Sequence, residues 1–292
     1  MRLWERLSGI IFRLLTRPYL KTFEEMSPEK ILRRSLKLLD HATIQSLKDY
    51  IRSSQTASGG FEDKAGRPDL YYTLFGYLLA YALDLNELLP AIANYTENEI
   101  VRDDLDNVHL HCAAILSSQL HRDPVLHKIL KKRIRQSLLS QLNRQHSYNY
   151  FISLLACYYM RDFKGLFFIK KYLSSLKVND DLPSPVIASM LVLQHSFNKP
   201  VNDLEKRLLS FHCKSGGFKA TQAAPITDML STAVSLYALG FAGSDIRRIK
   251  PDSLNYIDSL YIDGGFSGNE FDQEADIEYT FYGLLALGSL AG

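Results

Sequence analysis

The sequence predicts an all-α chain closed into an α/α toroid of six helical hairpins, with an inner and an outer helix ring. Three observations carry this expectation. Apolar residues recur with helical rather than alternating spacing. Gly-Gly-Phe turns return along the chain, and small apolar helices start at a near-regular interval, the mark of a repeat architecture.

The first element in chain order is the apolar, basic stretch from Met1 to Tyr19, expected as its own amphipathic helix over 1–20. At about 100° per residue, Leu3, Trp4, Leu7, Ile10, Ile11, Leu14 and Leu15 share one face, flanked by Arg2, Arg6, Arg13 and Arg17. Arg13 splits the apolar run, so no secretory signal is expected. No window reaches the roughly 20 apolar residues of a spanning helix. Two readings of this helix stay open. It could lie in a membrane interface through residues 1–17, as a Trp-bearing basic helix can, or pack on the protein's own body, the commoner arrangement. Pro18 is expected to end it.

Residues 21–292 are expected to form one toroid domain. Three segments, Gln55 to Phe61, His212 to Phe218 and Leu260 to Phe266, end in Gly-Gly-Phe, and each is followed 8–12 residues later by an Asp that opens an apolar helix. The same helix type recurs without the turn from Asp106, Ser147 and Ser184. Starts at 69, 106, 147, 184, 228 and 276 are separated by 37, 41, 37, 44 and 48 residues. Helices apolar on most sides belong inside and amphipathic partners outside. The partners include Pro124 to Gln145, whose basic run Lys128, Lys131, Lys132, Arg133 and Arg135 is expected to be an outer, wetted face that could also touch anionic lipid on the side of the N-terminal helix, and Val201 to His212. Closure rather than an open solenoid is expected because no polar-faced capping repeat follows Leu284. Asp or Ser at each inner-helix start is expected to act as an N-cap, and the Gly pairs to supply positive φ in tight turns.

Composition narrows the function. With 34 Lys+Arg against 32 Asp+Glu, net +2, nucleic acid is not an expected partner. A chain of 292 residues with 46% hydrophobic and 23% charged residues excludes disorder and collagen-like structure. Cys112, Cys157 and Cys213, an odd number with no CxxC pair, indicate neither a disulfide framework nor a zinc ribbon. The expected setting is cytoplasmic, peripheral to a membrane if residues 1–17 touch one.

The Gly-Gly-Phe turn, the Asp-led inner helix and the six-hairpin count resemble the terpenoid cyclase and protein prenyltransferase superfamily. Gln55 to Phe61 is similar to the repeat of squalene-hopene cyclases, with Phe in the aromatic place. The likeness is clear over 55–83 and 208–292 and rests mostly on period over 100–200. In prenyltransferase β subunits the resemblance implies a zinc held by an Asp-x-Cys pair and by the His of an Asp-x-Tyr-His-Thr segment. Here those positions read Asp228-Met229-Leu230 and Asp276-Ile277-Glu278-Tyr279-Thr280. Only Asp228 remains as a metal ligand, so zinc is not expected at that site. Cyclases of the superfamily protonate an alkene from an Asp-x-Asp-Asp segment, which this chain lacks; Asp103-Asp104-Leu105-Asp106 differs in order and reads as an acidic loop. The Cys-Gly-Glu-Gln segment of thioester toroids is also absent. A heterologous partner subunit is conceivable from the resemblance alone.

Residues in the first turns of the inner helices converge on one mouth of a toroid. Candidate catalytic residues are therefore Asp69, Asp106, His109, Asp228, Glu278 and Tyr279, as proton donors if burial raises a carboxyl pKa, with Asp106, His109 and Asp228 alternatively as a rebuilt metal site. Candidate substrate contacts are Tyr71, Tyr72, Tyr148 and Lys219. Lys64, Arg67 and Arg144 could also reach the mouth, each equally well explained as a solvated charge. His109 and His111 lie about 200° apart on a helix, so only one can face the cavity. The expected function is binding of an isoprenoid or similar lipid in a central apolar cavity, with cyclisation or non-zinc prenyl transfer as the chemistry. The alternative is a non-catalytic toroid for lipid binding or protein interaction.

Overall fold

The computed structural model describes residue 14 and residues 20–121, 123–140, 147–173 and 181–291, with the side chains of 140, 147–150 and 172 outside the description. Apart from Leu14, the expected helix over 1–17 lies outside the described residues, as does Arg144. A short helix α1 (Pro28–Ser35) precedes an alternating series. The outer helices are α2 (His41–Ser53), α4 (Leu89–Ile100), α6 (Pro124–Ser140), α8 (Phe163–Leu173), α10 (Asn202–Leu209) and α12 (Lys250–Ser259). The inner helices are α3 (Leu70–Ala82), α5 (Asn107–Leu120), α7 (Ser147–Tyr159), α9 (Ser184–Ser196), α11 (Met229–Ala242) and α13 (Ile277–Leu290). Each inner helix packs on the next, and α13 packs on α3, so the ring is closed. Among the described residues, no helix is long and apolar enough to cross a membrane.

The caps follow from the Asp residues. Asp69 accepts the backbone N–H groups of Tyr71 and Tyr72, Asp106 that of His109, Asp228 that of Ser231 and Asp276 that of Tyr279. Each satisfies donors that the first helical turn leaves free. Ser184 departs from this expectation: Pro183 occupies the cap position of α9, and the Ser184 hydroxyl instead donates to the Lys219 carbonyl at 2.6 Å.

The Gly-Gly-Phe turns are small antiparallel ribbons. Phe61 in β1 (Phe61–Glu62) pairs with Asp69 in β2 (Pro68–Asp69), and β3 (Tyr261–Ile262) pairs with β4 (Gly265–Phe266). Single bridges join Phe218 to Asp228 and Phe266 to Asp276. In all three repeats the Phe amide donates to a Thr hydroxyl four residues after the Asp: Phe61 to Thr73 at 3.0 Å, Phe218 to Thr232 at 2.9 Å and Phe266 to Thr280 at 3.1 Å. The three rings are buried, each worth about 1.5–3 kcal/mol of transfer free energy.

The first Gly of each pair lets one hairpin lean on the next. Gly216 has φ +94°, and a Cβ there would lie 2.0 Å from the Asp252 carbonyl oxygen of α12. Gly264, at φ +86°, presses on Ser46 of α2. The last turn thereby rests on the first outer helix and closes the outer layer as well.

Segment 20–35 fills one end of the ring. The Tyr237 hydroxyl donates to the Met26 carbonyl at 2.8 Å, Phe23 packs edge-on against Tyr158, and the Ile31 carbonyl sits where a Cβ on Gly288 would be. Tyr158 and Gly288 lie in the last turns of inner helices, and Tyr237 in the turn before the last. The opposite end, where the inner helices start, is left for chemistry.

Candidate functional site

Inside the ring is a slot walled by side chains of α3, α7, α9, α11 and α13, with Pro28 at its floor. The space open to the centre of a water-sized sphere is about 90 Å³. One wall is aromatic: ring centroids of Tyr71 and Phe75 are 4.6 Å apart, Phe75 and Phe281 4.6 Å, and Phe75 and Tyr282 5.6 Å. The polar groups on the lining are spoken for, since Ser189 donates to the Pro185 carbonyl and Tyr237 to Met26. The wall is therefore apolar and π-rich.

Behind the wall residue Tyr71 stands Glu278, in the first turn of α13. Tyr71 donates to its Oε1 at 2.9 Å and Tyr72 to its Oε2 at 3.2 Å, so α3 and α13 meet on one carboxyl group. The Tyr282 hydroxyl lies 3.4 Å from that of Tyr71. Burial raises the Glu278 pKa, and the neighbouring Asp276 adds to this; the tyrosine hydroxyls and Lys64 pull the other way without cancelling it. Burial first, and the Glu278 charge second, also raise the Tyr72 hydroxyl, which stays protonated and donating.

Lys64, from the turn between β1 and β2, reaches across to the last repeat. Its Nζ lies 3.5 Å from Asp276, 3.7 Å from Asp272 and 4.6 Å from the centre of the Tyr279 ring. Tyr279 therefore lies under a cation. It is absent from the cavity wall.

Beside this group, His109 bridges α3 and α5. Its Nε2 is 2.6 Å from Asp69 and its Nδ1 2.8 Å from Asp106. Burial disfavours the imidazolium, but the bonds to Asp69 and Asp106 outweigh it and raise the pKa. With a carboxylate facing each nitrogen, it is the imidazolium form that donates on both sides. His111 faces away, as its spacing requires: its Nδ1 donates to the Asn107 carbonyl, Ser153 donates to its Nε2 at 2.8 Å, and burial holds its pKa down to about 4. It is a neutral structural histidine.

The remaining candidates are scattered. Asp228 caps α11, with burial raising its pKa. Lys219 lines a separate surface recess with Cys213, Ser215 and Tyr256. Arg67 pairs with Asp63 at 3.4 Å. Tyr148 lies on α7, but its side chain is outside the described residues. First-turn reasoning missed Phe75, Phe281 and Tyr282. Their signal was the i, i+4 step from Tyr71 to Phe75 and from Glu278 to Tyr282, which keeps a side chain on the same helix face.

The donor set does not fit zinc. Leu230 lines the apolar slot, Tyr279 is engaged by Lys64, and the two carboxylates on His109 sit on opposite ring nitrogens rather than around one point. Among the described residues no group of three His, Cys, Asp or Glu side chains is arranged to hold a metal ion.

Residues 22–100 and 126–291 match the family model described as the prenyltransferase alpha-alpha toroid domain. Comparison with curated proteins finds no match.

Proposed function

The chain belongs to the prenyltransferase alpha-alpha toroid family, and from that premise we propose that it takes an isoprenoid or similar lipid into the central slot and acts on it by acid-initiated chemistry. The observation that carries this reading is Glu278: a carboxyl group whose pKa burial has raised, fixed by two tyrosine hydroxyls, one of them from Tyr71 of the slot's aromatic wall.

In this reading the protonated Glu278 carboxyl gives its proton to a C=C bond, leaving a tertiary carbocation and a carboxylate. The faces of Phe75, Phe281 and Tyr282 stabilise the cation by cation–π contact, and the slot keeps bulk water from quenching it. Loss of a proton from the rearranged or cyclised cation to water ends the reaction as an isomerisation. Glu278, partly exposed, recovers its proton from solvent. Asp69, Asp106 and His109 hold the neighbouring rim, and the raised pKa of Asp228 keeps it as a second candidate acid.

The test is mass spectrometry of organic extracts from protein purified without detergent, against a sham purification. A stoichiometric polyprenyl or triterpenoid species is expected. No lipid, together with failure to take up added prenyl diphosphates, would overturn the reading. Where a substrate is found, Glu278→Gln should retain it while losing roughly 10²–10⁴-fold in turnover, the usual weight of a positioned acid.

A second reading rests on the Tyr71–Phe75–Phe281 ring cluster, which forms one wall of the slot. A ring filled by its own aromatics favours a non-catalytic scaffold for lipid or protein, and the same extraction separates the two.

A further inference from the structure

The outer helices should turn polar faces to water, and α6 and α8 break that rule. They pack side by side, locked by Arg135, which donates to both carboxylate oxygens of buried Asp162 at 2.7 Å. Their sequences, PVLHKILKKRIRQSLLS and FKGLFFIKKYL, hold eight Lys or Arg residues and no Asp or Glu. Yet Val125, Ile129 and Leu139 on α6 and Phe163 and Phe167 on α8 are exposed by 68, 52, 48, 40 and 60%. These five are half of the ten exposed large apolar side chains among the described residues. Exposed Lys128, Lys132, Lys164 and Lys171 alternate with them.

A surface with apolar side chains set among cations, on two helices that carry no acid of their own and with Asp123 just before α6 engaged by the Val125 and Leu126 amides, matches a boundary at which acyl chains and anionic headgroups are presented together. Other covers fit less well. A second copy would bring the same positive face, and the chain's own stretch 1–17 is itself basic, with Arg2, Arg6, Arg13 and Arg17. Nucleic acid would satisfy the lysines but offers no apolar layer to Val125 or Ile129. We propose that the outer face of α6 and α8 docks this protein on an anionic lipid bilayer, the five apolar side chains entering the acyl boundary and the lysines meeting the headgroups. The surface is separate from the central slot, so its test does not depend on what the slot binds.

The full chain is sedimented with vesicles of phosphatidylcholine plus phosphatidylserine and with vesicles of phosphatidylcholine alone. Binding to the anionic vesicles only, weakened by added salt, is expected. Lys128→Gln with Lys132→Gln, and separately Phe163→Ser with Phe167→Ser, should each weaken partitioning on the order of tenfold or more while far-UV circular dichroism stays unchanged. The lysine pair is exposed and keeps the test decisive if the phenylalanine pair disturbs folding. No binding to anionic vesicles would overturn the proposal. So would undiminished binding by the lysine variant, or displacement of the vesicles by inorganic phosphate or a DNA duplex at matched charge.

Discussion

The three repeats that carry a Gly-Gly-Phe turn and the three that lack one reach the same hairpin geometry by different bonds. In the first set, backbone groups meeting the motif's own recurring Thr and Asp side chains do the joining. A Phe amide meets a Thr hydroxyl, an Asp caps the inner helix, and a glycine lets the turn lie against the next outer helix. In the second set, unique side-chain pairs do it: Arg135 with Asp162, His111 with Ser153, and Ser137 with Asn107. A bond between backbone and a residue of the motif recurs wherever the motif recurs. A bond made by a particular pair has to be invented once per joint, and it leaves no period in the sequence.

Four experiments would break or sharpen this contrast. The largest effect should come from Gly216→Val, which adds a side chain at φ +94° and drives it into the Asp252 carbonyl; a loss of several kcal/mol, on the order of 3–5, is expected in urea unfolding. A loss below about 1 kcal/mol would mean that the turn does not lock the hairpins. In the other set, Arg135→Met leaves Asp162 buried and unpaired, for an expected loss of about 3–5 kcal/mol. If it is milder than Thr232→Val, the plain repeats are not held by their side-chain pairs. Thr232→Val removes the acceptor of the buried Phe218 amide at constant shape and should cost about 1–3 kcal/mol, with Thr73→Val and Thr280→Val alike. Unequal losses among the three would show that the motif is not one repeated device.

The smallest effect is at the border between the sets, where His109 of a plain repeat meets Asp69 of a motif repeat. The folded pKa of His109 is raised above the ordinary 6.5 of an imidazole side chain. The stabilisation is therefore fully present below that unfolded value and fades as pH rises through the folded one. Unfolding midpoints of the parent and of His109→Gln should differ most at acidic pH and converge on the alkaline side. A gap that widened with pH would show that the histidine is neutral in the fold.

The same contrast explains what could be read in advance. The ring, its inner-helix starts and its capping aspartates were legible because each is a repeated local event: Asp69, Asp106, Asp228 and Asp276 all cap as expected. Glu278 and Tyr72 were legible as first-turn residues, but not their meeting across 206 residues of chain, because ring closure brings the first and last inner helices together and no local pattern encodes that. The basic run of α6 was expected to be an outer, wetted face. Instead Arg135 turns in to Asp162 and Lys131 is half-buried, with burial lowering its pKa, because a helix in a closed outer layer gives up part of its circumference to its neighbours.

The seam between Gly264 and α2 has a consequence for how the molecule is made. Helices near the start of the chain find their last neighbours more than two hundred residues later, as the 207-residue span from Tyr71 to Glu278 illustrates. At roughly 5–20 residues per second of synthesis, this delay lasts roughly 10–40 s, during which α2 and α3 present one uncovered flank. Ribosome-bound chains truncated before the last turn should therefore recruit chaperones that full-length chains shed.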